Sequence, residues 1–178
     1  MALRPVLEDD LAVWQRLNND PEGTGPHEWH GWSDPHVLRH RWAENGLLGS
    51  AGGVLVVARG PDVLGFVTWR QFPTGRISHC WEIGISIAPE ARGRGFGTQA
   101  QRLIVRYLFA HTQVNRIQAG TEITNIAEQR ALEKAGFSKE GVLRGFGFRD
   151  GRWHDGVLYS VLRHEVDLTG GAGGPGGG

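Results

Sequence analysis

The stretch Trp81–Thr98 constrains the fold of this chain more than any other. An apolar run from Trp81 to Ile87 is closed by Pro89 and followed by Arg92-Gly93-Arg94-Gly95-Phe96-Gly97. From Gly97 to Ala110 the residues Ala100, Leu103, Ile104, Tyr107 and Leu108 recur at the i, i+3, i+4, i+7 spacing of an amphipathic helix. A strand that turns through glycines into a helix with one apolar face must belong to a sheet that the helix covers.

The remaining pattern fits that frame. Helices are expected over 9–18 and 35–45, the second after Ser33-Asp34-Pro35. Val54–Ala58 and Val63–Trp69 flank Gly60-Pro61-Asp62 and read as a hairpin. Arg116–Thr121 alternates as a strand, Asn125–Ala135 reads as a helix closed by Gly136, and strands over 142–149 and 156–163 flank Asp150-Gly151. This order predicts an α/β (α+β) fold with a mixed central sheet and helices on both faces. At 178 residues, 39% of them hydrophobic, the chain suits one core. A single domain is expected over 1–166 and a disordered glycine-rich tail over 167–178, because Gly170–Gly178 has almost no side chain to bury.

Composition excludes several functions. The 19 basic and 19 acidic side chains cancel, which removes the field a nucleic-acid binder exploits. Cys80 stands alone, so neither an intramolecular disulfide nor a cysteine metal cluster is expected. No apolar run approaches the roughly 20 residues of a membrane helix, and the expected location is the cytoplasm.

The glycine-rich turn carries the chemistry. Amides opening a helix lack intrahelical partners and, with the positive end of the dipole, make an anion site. Gly93, Gly95 and Gly97 let backbone approach phosphate oxygens, and Arg92 and Arg94 can add charge-assisted bonds. The plainer reading is a tight turn with two solvated arginines. The spacing does not fit a dinucleotide fold, and no Gly-x-x-x-x-Gly-Lys-Ser/Thr occurs. What is present is Arg92-x-x-Gly95-x-Gly97-Thr98. It resembles the cofactor motif Gln/Arg-x-x-Gly-x-Gly/Ala of the GNAT superfamily of acetyltransferases. Glu82–Gly97, Asn125–Phe137 and Glu140–Arg144 together resemble the branch related to ribosomal-protein alanine acetyltransferases (RimJ/RimL-like), a likeness covering most of 50–165.

The resemblance implies a GNAT-like, mostly antiparallel sheet and acetyl-CoA as cosubstrate. It implies backbone contacts from Ile85 and Ile87 to the pantetheine arm, and a pyrophosphate held by Arg92, Gly93, Arg94, Gly95, Phe96, Gly97 and Thr98. Asn125 is similar to the asparagine that bonds the arm, although Asn125-x-x-Glu128 also reads as a capping box. Arg130 divides evenly between the cofactor's 3'-phosphate and a solvated face. Attack by an amine needs a proton acceptor, for which Glu82, beside Trp81, is the candidate; a strand-end carboxylate facing an arginine is the alternative. The tyrosine that usually protonates the thiolate is replaced by Leu132, and the serine of RimL-like enzymes by Glu128, so Tyr159, Cys80 and water stay open as the acid.

His27–His36 is rich in aromatic and imidazole groups. Trp29, His30 and Trp32, with Trp69 and Trp81 across the sheet, could wall a cationic or ring-bearing amine, although each tryptophan alone is more often core. His27, His30 and His36 lack metal-ligand spacing, and no metal is expected. The reading is an N-acetyltransferase acting by direct attack on a small-molecule amine such as a metabolite or antibiotic. A peptide N-terminus as acceptor, or a non-catalytic acyl-CoA sensor, are the alternatives, and a homodimer stays open.

Overall fold

The computed structural model describes residues 1–168; most of the predicted tail, from 169 on, lies outside them. Strands β1 (Ala2–Arg4), β2 (Leu48–Gly49), β3 (Gly52–Arg59), β4 (Asp62–Pro73), β5 (His79–Ile87), β6 (Arg116–Glu122), β7 (Ser138–Arg149) and β8 (Arg152–Leu162) alternate with helices α1 (Asp10–Asn19), α2 (Pro21–Thr24), α3 (Pro35–Asn45), α4 (Phe96–His111) and α5 (Ile126–Ala135). The strands lie in the order β1-β3-β4-β5-β6-β8-β7, with β2 on β3. Among the described residues every pairing is antiparallel except β5 with β6. The mixed sheet matches the expected fold class.

Strand alternation sends the helices to both faces. Phe66 of β4 meets Trp14 of α1 edge-on at 4.9 Å. Trp69, of opposite parity on the same strand, meets Tyr107 of α4 at 5.9 Å. The α4 stripe buries Ala100, Ile104 and Leu108 as expected, but it widens to take in Gln101 and Val105 while Tyr107 stays exposed. The widening has a cause: α4 also packs on α5, where Arg102 reaches the Lys134 carbonyl and Gln101 reaches Glu128.

At the β7–β8 turn, Asp150 and Gly151 take φ of 50° and 75°, the left-handed pair that an Asp-Gly hairpin favours. The decisive departure from a regular sheet lies in the middle. β5 and β6 pair only at Trp81↔Ile117 and Glu82↔Gln118, and then diverge. β5 remains paired to β4 as far as Ile87, so the gap opens on its β6 side alone.

Candidate active site

The divergence of β5 and β6 opens a cleft of about 530 Å³. Its walls are Ile83–Ile87 of β5, Ala119–Thr121 of β6, the turn and first residues of α4, and the start of α5. In an antiparallel pair only alternate residues bond the neighbour, so β5 keeps main-chain donors and acceptors pointing into the gap. An extended chain entering there would find the pairing of a missing strand.

The mouth of the cleft is the glycine-rich turn. Gly93 and Gly95 have φ of 72° and 79°, where a side chain would be strained although nothing crowds it. Gly95 caps α4 without a side-chain partner, and the first backbone bond back to it comes from Gln99 at 3.2 Å. The amides of Phe96, Gly97 and Thr98 therefore face the cleft without helical partners. Arg130 and Lys134 of α5 line the same mouth. Ile85, Ile87, Gly93, Gly95, Phe96, Gly97, Thr98 and Asn125 all line the cleft as well.

Two arginines sit differently from expectation. The Arg92 guanidinium donates to the carbonyls of Ile87 (2.9 Å), Gly23 (2.5 Å) and Thr24 (3.3 Å). It fastens the turn to α2, and it occupies the Ile87 carbonyl. Arg94 points out of the cleft, over the Phe96 ring at 5.1 Å. Arg92 nonetheless lines the cleft together with the glycines of the turn, whereas Arg94 does not.

Asn125 caps α5, accepting from the Glu128 amide at 3.2 Å. The return half of the expected box is absent: the Glu128 carboxylate turns into the cleft and accepts from Gln101 Nε2 at 2.5 Å. Burial, and then the neighbouring charge of Glu28, push the Glu128 carboxyl up to about 7 against the opposing effect of Gln101. Glu28, from the loop after α2, lines the same cleft. Although open to the cleft it is crowded by protein, and this desolvation raises its carboxyl despite His30, His27 and Arg149.

Glu82 is placed elsewhere. It faces the α1 side of the sheet, ion-paired with Arg70, while Gln118 Nε2 donates to its other oxygen at 3.0 Å. It lines neither this cleft nor the chamber beside it. The expected proton acceptor is thus the arginine-paired strand carboxylate of the alternative reading. Leu132 and Tyr159 are buried, and the Tyr159 hydroxyl is bonded to Glu133 at 3.1 Å. Cys80 is buried too, so neither Tyr159 nor Cys80 reaches the cleft.

The larger chamber, about 1130 Å³, adjoins the cleft and shares Gly25, Pro26, His27 and Arg92 with it. Trp29, Glu122, Arg149, Trp153, His154 and Asp155 complete much of its wall. Glu122 accepts from Arg149 Nη2 and Thr124 Oγ1, both at 2.5 Å, and lies 3.3 Å from His154 Nδ1. Burial alone would raise this carboxyl, but the Thr124 hydroxyl and the Arg149 guanidinium outweigh it and hold it at about 2. Trp29 meets Trp32 edge-on at 5.1 Å, with Trp32 78% exposed.

Trp69 and Trp81 need correction as acceptor contacts. They are only 8% and 4% exposed and share the α4 face of the sheet, with Trp81 Nε1 bonded to Thr112 at 3.0 Å. The loop they were expected to face lies toward α2. Among the described residues, no group of three or more His, Cys, Asp or Glu is placed to hold a metal. Glu28, Glu122, Arg149, Trp153 and His154 went unpredicted, because they come from the loop after α2 and from β6, β7 and β8, which only tertiary pairing brings together, and no local period marks them.

A model of the acetyltransferase (GNAT) domain matches residues 1–138. The chain belongs to the GNAT acetyltransferase family. It is 35% identical over 103 residues to the probable N-acetyltransferase YjcK of Bacillus subtilis, covering 58% of this chain and 56% of that protein. It is 28% identical over 100 residues to the [ribosomal protein uS5]-alanine N-acetyltransferase of Escherichia coli, covering 56% of this chain and 51% of the relative. Each match spans about half the relative's length. The fold is similar to that of the spermidine N-acetyltransferase of Vibrio cholerae solved with CoA and spermine, with a TM-score of 0.77 at 22% identity over 92% of this chain and 96% of that one. The chain has among its described residues no helix long and apolar enough to cross a membrane.

Proposed function

We propose that this N-acetyltransferase moves an acetyl group from acetyl-CoA to a primary amine of a small molecule by direct attack. The observation that carries the reading is the opening between β5 and β6 beyond Glu82↔Gln118, with unpartnered α4 amides at its mouth. The pyrophosphate binds those amides with Arg130 and Lys134, the pantetheine arm pairs with β5 beside Asn125, and the thioester lies toward the inner end. A main-chain N–H of β5 facing the gap stabilises the oxyanion. Glu28 lines the cleft next in sequence to His27, which lines both cavities, and its raised carboxyl suits acceptance of a proton from the incoming ammonium.

A small amine is favoured over a peptide because Trp29 and Trp153 on the chamber wall offer ring faces to a compact cation, beside carboxylates of which Glu122 and Asp150 are held by Arg149. The structural neighbour solved with spermine supports the same class of acceptor. The test is thiol release from acetyl-CoA with polyamines, aminoglycosides, amino acids and N-terminal peptides. Turnover with a small amine supports the reading, and turnover with peptides alone reassigns the acceptor. CoA binding without turnover for any amine would make the protein a sensor.

A further inference from the structure

Leu132, at the position where the resemblance implies a tyrosine that protonates the departing sulfur, is buried in the core. A proton donor must therefore come from what the cleft itself presents. Glu128 projects into it from the first turn of α5, next to Asn125, and shares it with Glu28. The two carboxyls interact across a cleft that Ile83–Ile87 and Ala119–Thr121 also line.

Two further side chains mark this inner region as built for a ligand. Gln101, 1% exposed, donates to Glu128, while its Oε1 has no partner within the protein. Thr121, 7% exposed, leaves its Oγ1 equally without a partner. Buried polar atoms rarely stay unsatisfied, and both residues line the cleft. The charged and polar groups that line the cleft with Glu128 include Thr98 and Gln101 from α4, Thr121 from β6, Arg92 from the glycine-rich turn, Glu28 and His27 from the loop after α2, and Arg130 and Lys134 from its own helix.

We propose that the Glu128 carboxyl is the proton donor to the sulfur that leaves when the amide forms. The inference rests on the acetyltransferase reading above. The amine nitrogen forms a bond to the thioester carbonyl carbon; the C–S bond breaks with its electron pair on sulfur, and Glu128 delivers its proton there. Before attack the ammonium gives one proton to Glu28, which releases it to solvent; after attack the second proton on nitrogen passes to Glu28. Transfer of one proton from Glu28 back to Glu128 restores both groups. A carboxyl lying at about 7 is substantially protonated at neutral pH, as a donor must be.

The experiment compares the wild type with Glu128→Gln, using acetyl-CoA and the amine that gives turnover. Expected is a loss in kcat on the order of 100-fold with acetyl-CoA binding by calorimetry preserved. The wild-type kcat should fall on an alkaline limb near pH 7, and that limb should vanish in the variant. Gln101→Leu provides a second readout: losing the bond that lowers the Glu128 carboxyl should move the limb to higher pH. Unchanged kcat and limb in Glu128→Gln, or an unmoved limb in Gln101→Leu, overturns the assignment while wild-type turnover leaves the acetyltransferase reading intact. If the wild type acetylates no amine, that reading and the donor fall together.

Discussion

Glu122 and Glu128 are both largely enclosed by protein, lie close together in the chain and flank the same active site, yet one carboxyl is held at about 2 and the other at about 7. The difference is the company each keeps. Glu122 has Arg149 and the Thr124 hydroxyl on its oxygens, with His154 nearby. Glu128 has a neutral amide and a second carboxyl. Desolvation penalises both, and only a fixed cation converts an enclosed carboxylate into a strut. The chamber is thus braced by paired charge, whereas the cleft keeps its carboxyls unpaired and able to exchange protons.

The sharpest way to break this contrast is Glu28→Gln, for which kcat/KM should fall by on the order of 100-fold or more with CoA affinity unchanged by calorimetry. Activity near wild type would mean that the unpaired carboxyl that Glu28 brings to the cleft does no proton work. Glu122→Gln should act on stability: Arg149 keeps Asp150 but loses its second carboxylate, which costs about 2 kcal/mol, read from denaturant unfolding. An unchanged midpoint would show that the chamber does not depend on this brace.

A pH series sharpens the comparison further. Glu128 binds its proton more tightly when folded, so between the ordinary glutamate value of 4.5 and about 7 the native state holds more protons than the unfolded chain. Its contribution must therefore be lost as pH rises through that window. Glu128→Gln should gain in melting temperature relative to wild type from pH 5 to pH 8. Glu122 has the opposite sign: its contribution is present above 4.5 and lost as pH falls toward 2. The smallest effect is expected for Glu82→Gln, whose carboxylate is committed to Arg70 and Gln118 outside both cavities. A change in kcat below tenfold is expected, and a loss as large as that of Glu28→Gln would return the base to Glu82.

What could be read in the sequence was local. The α4 stripe, the Asp150-Gly151 hairpin, the Gly136 stop and the glycine-rich turn each declare themselves within a few residues, because capping, turn geometry and helical period are short-range properties. β1, β2 and α2 were not foreseen: they are too short to carry a period and exist because β3 and the Asp20 cap hold them. The site divided the same way. The glycine-rich turn and its place at the cleft were legible, whereas the tryptophans were misassigned, since composition cannot say which face of a sheet Trp69 and Trp81 will take. Glu28 stood unremarked between His27 and Trp29, and Gln101 looked like a polar residue on a helix; only tertiary packing gave either of them a role.

Arg92 ties the turn that opens α4 to the carbonyls of Gly23 and Thr24, immediately before the loop that carries His27 and Glu28. The glycine-rich turn and the loop that edges the chamber therefore share a fastening. Under the proposed function, reciprocity of binding free energies makes that joint work both ways: a ligand in the cleft that firms it raises affinity in the chamber by the same factor by which a ligand in the chamber raises affinity in the cleft, and neither has to come first.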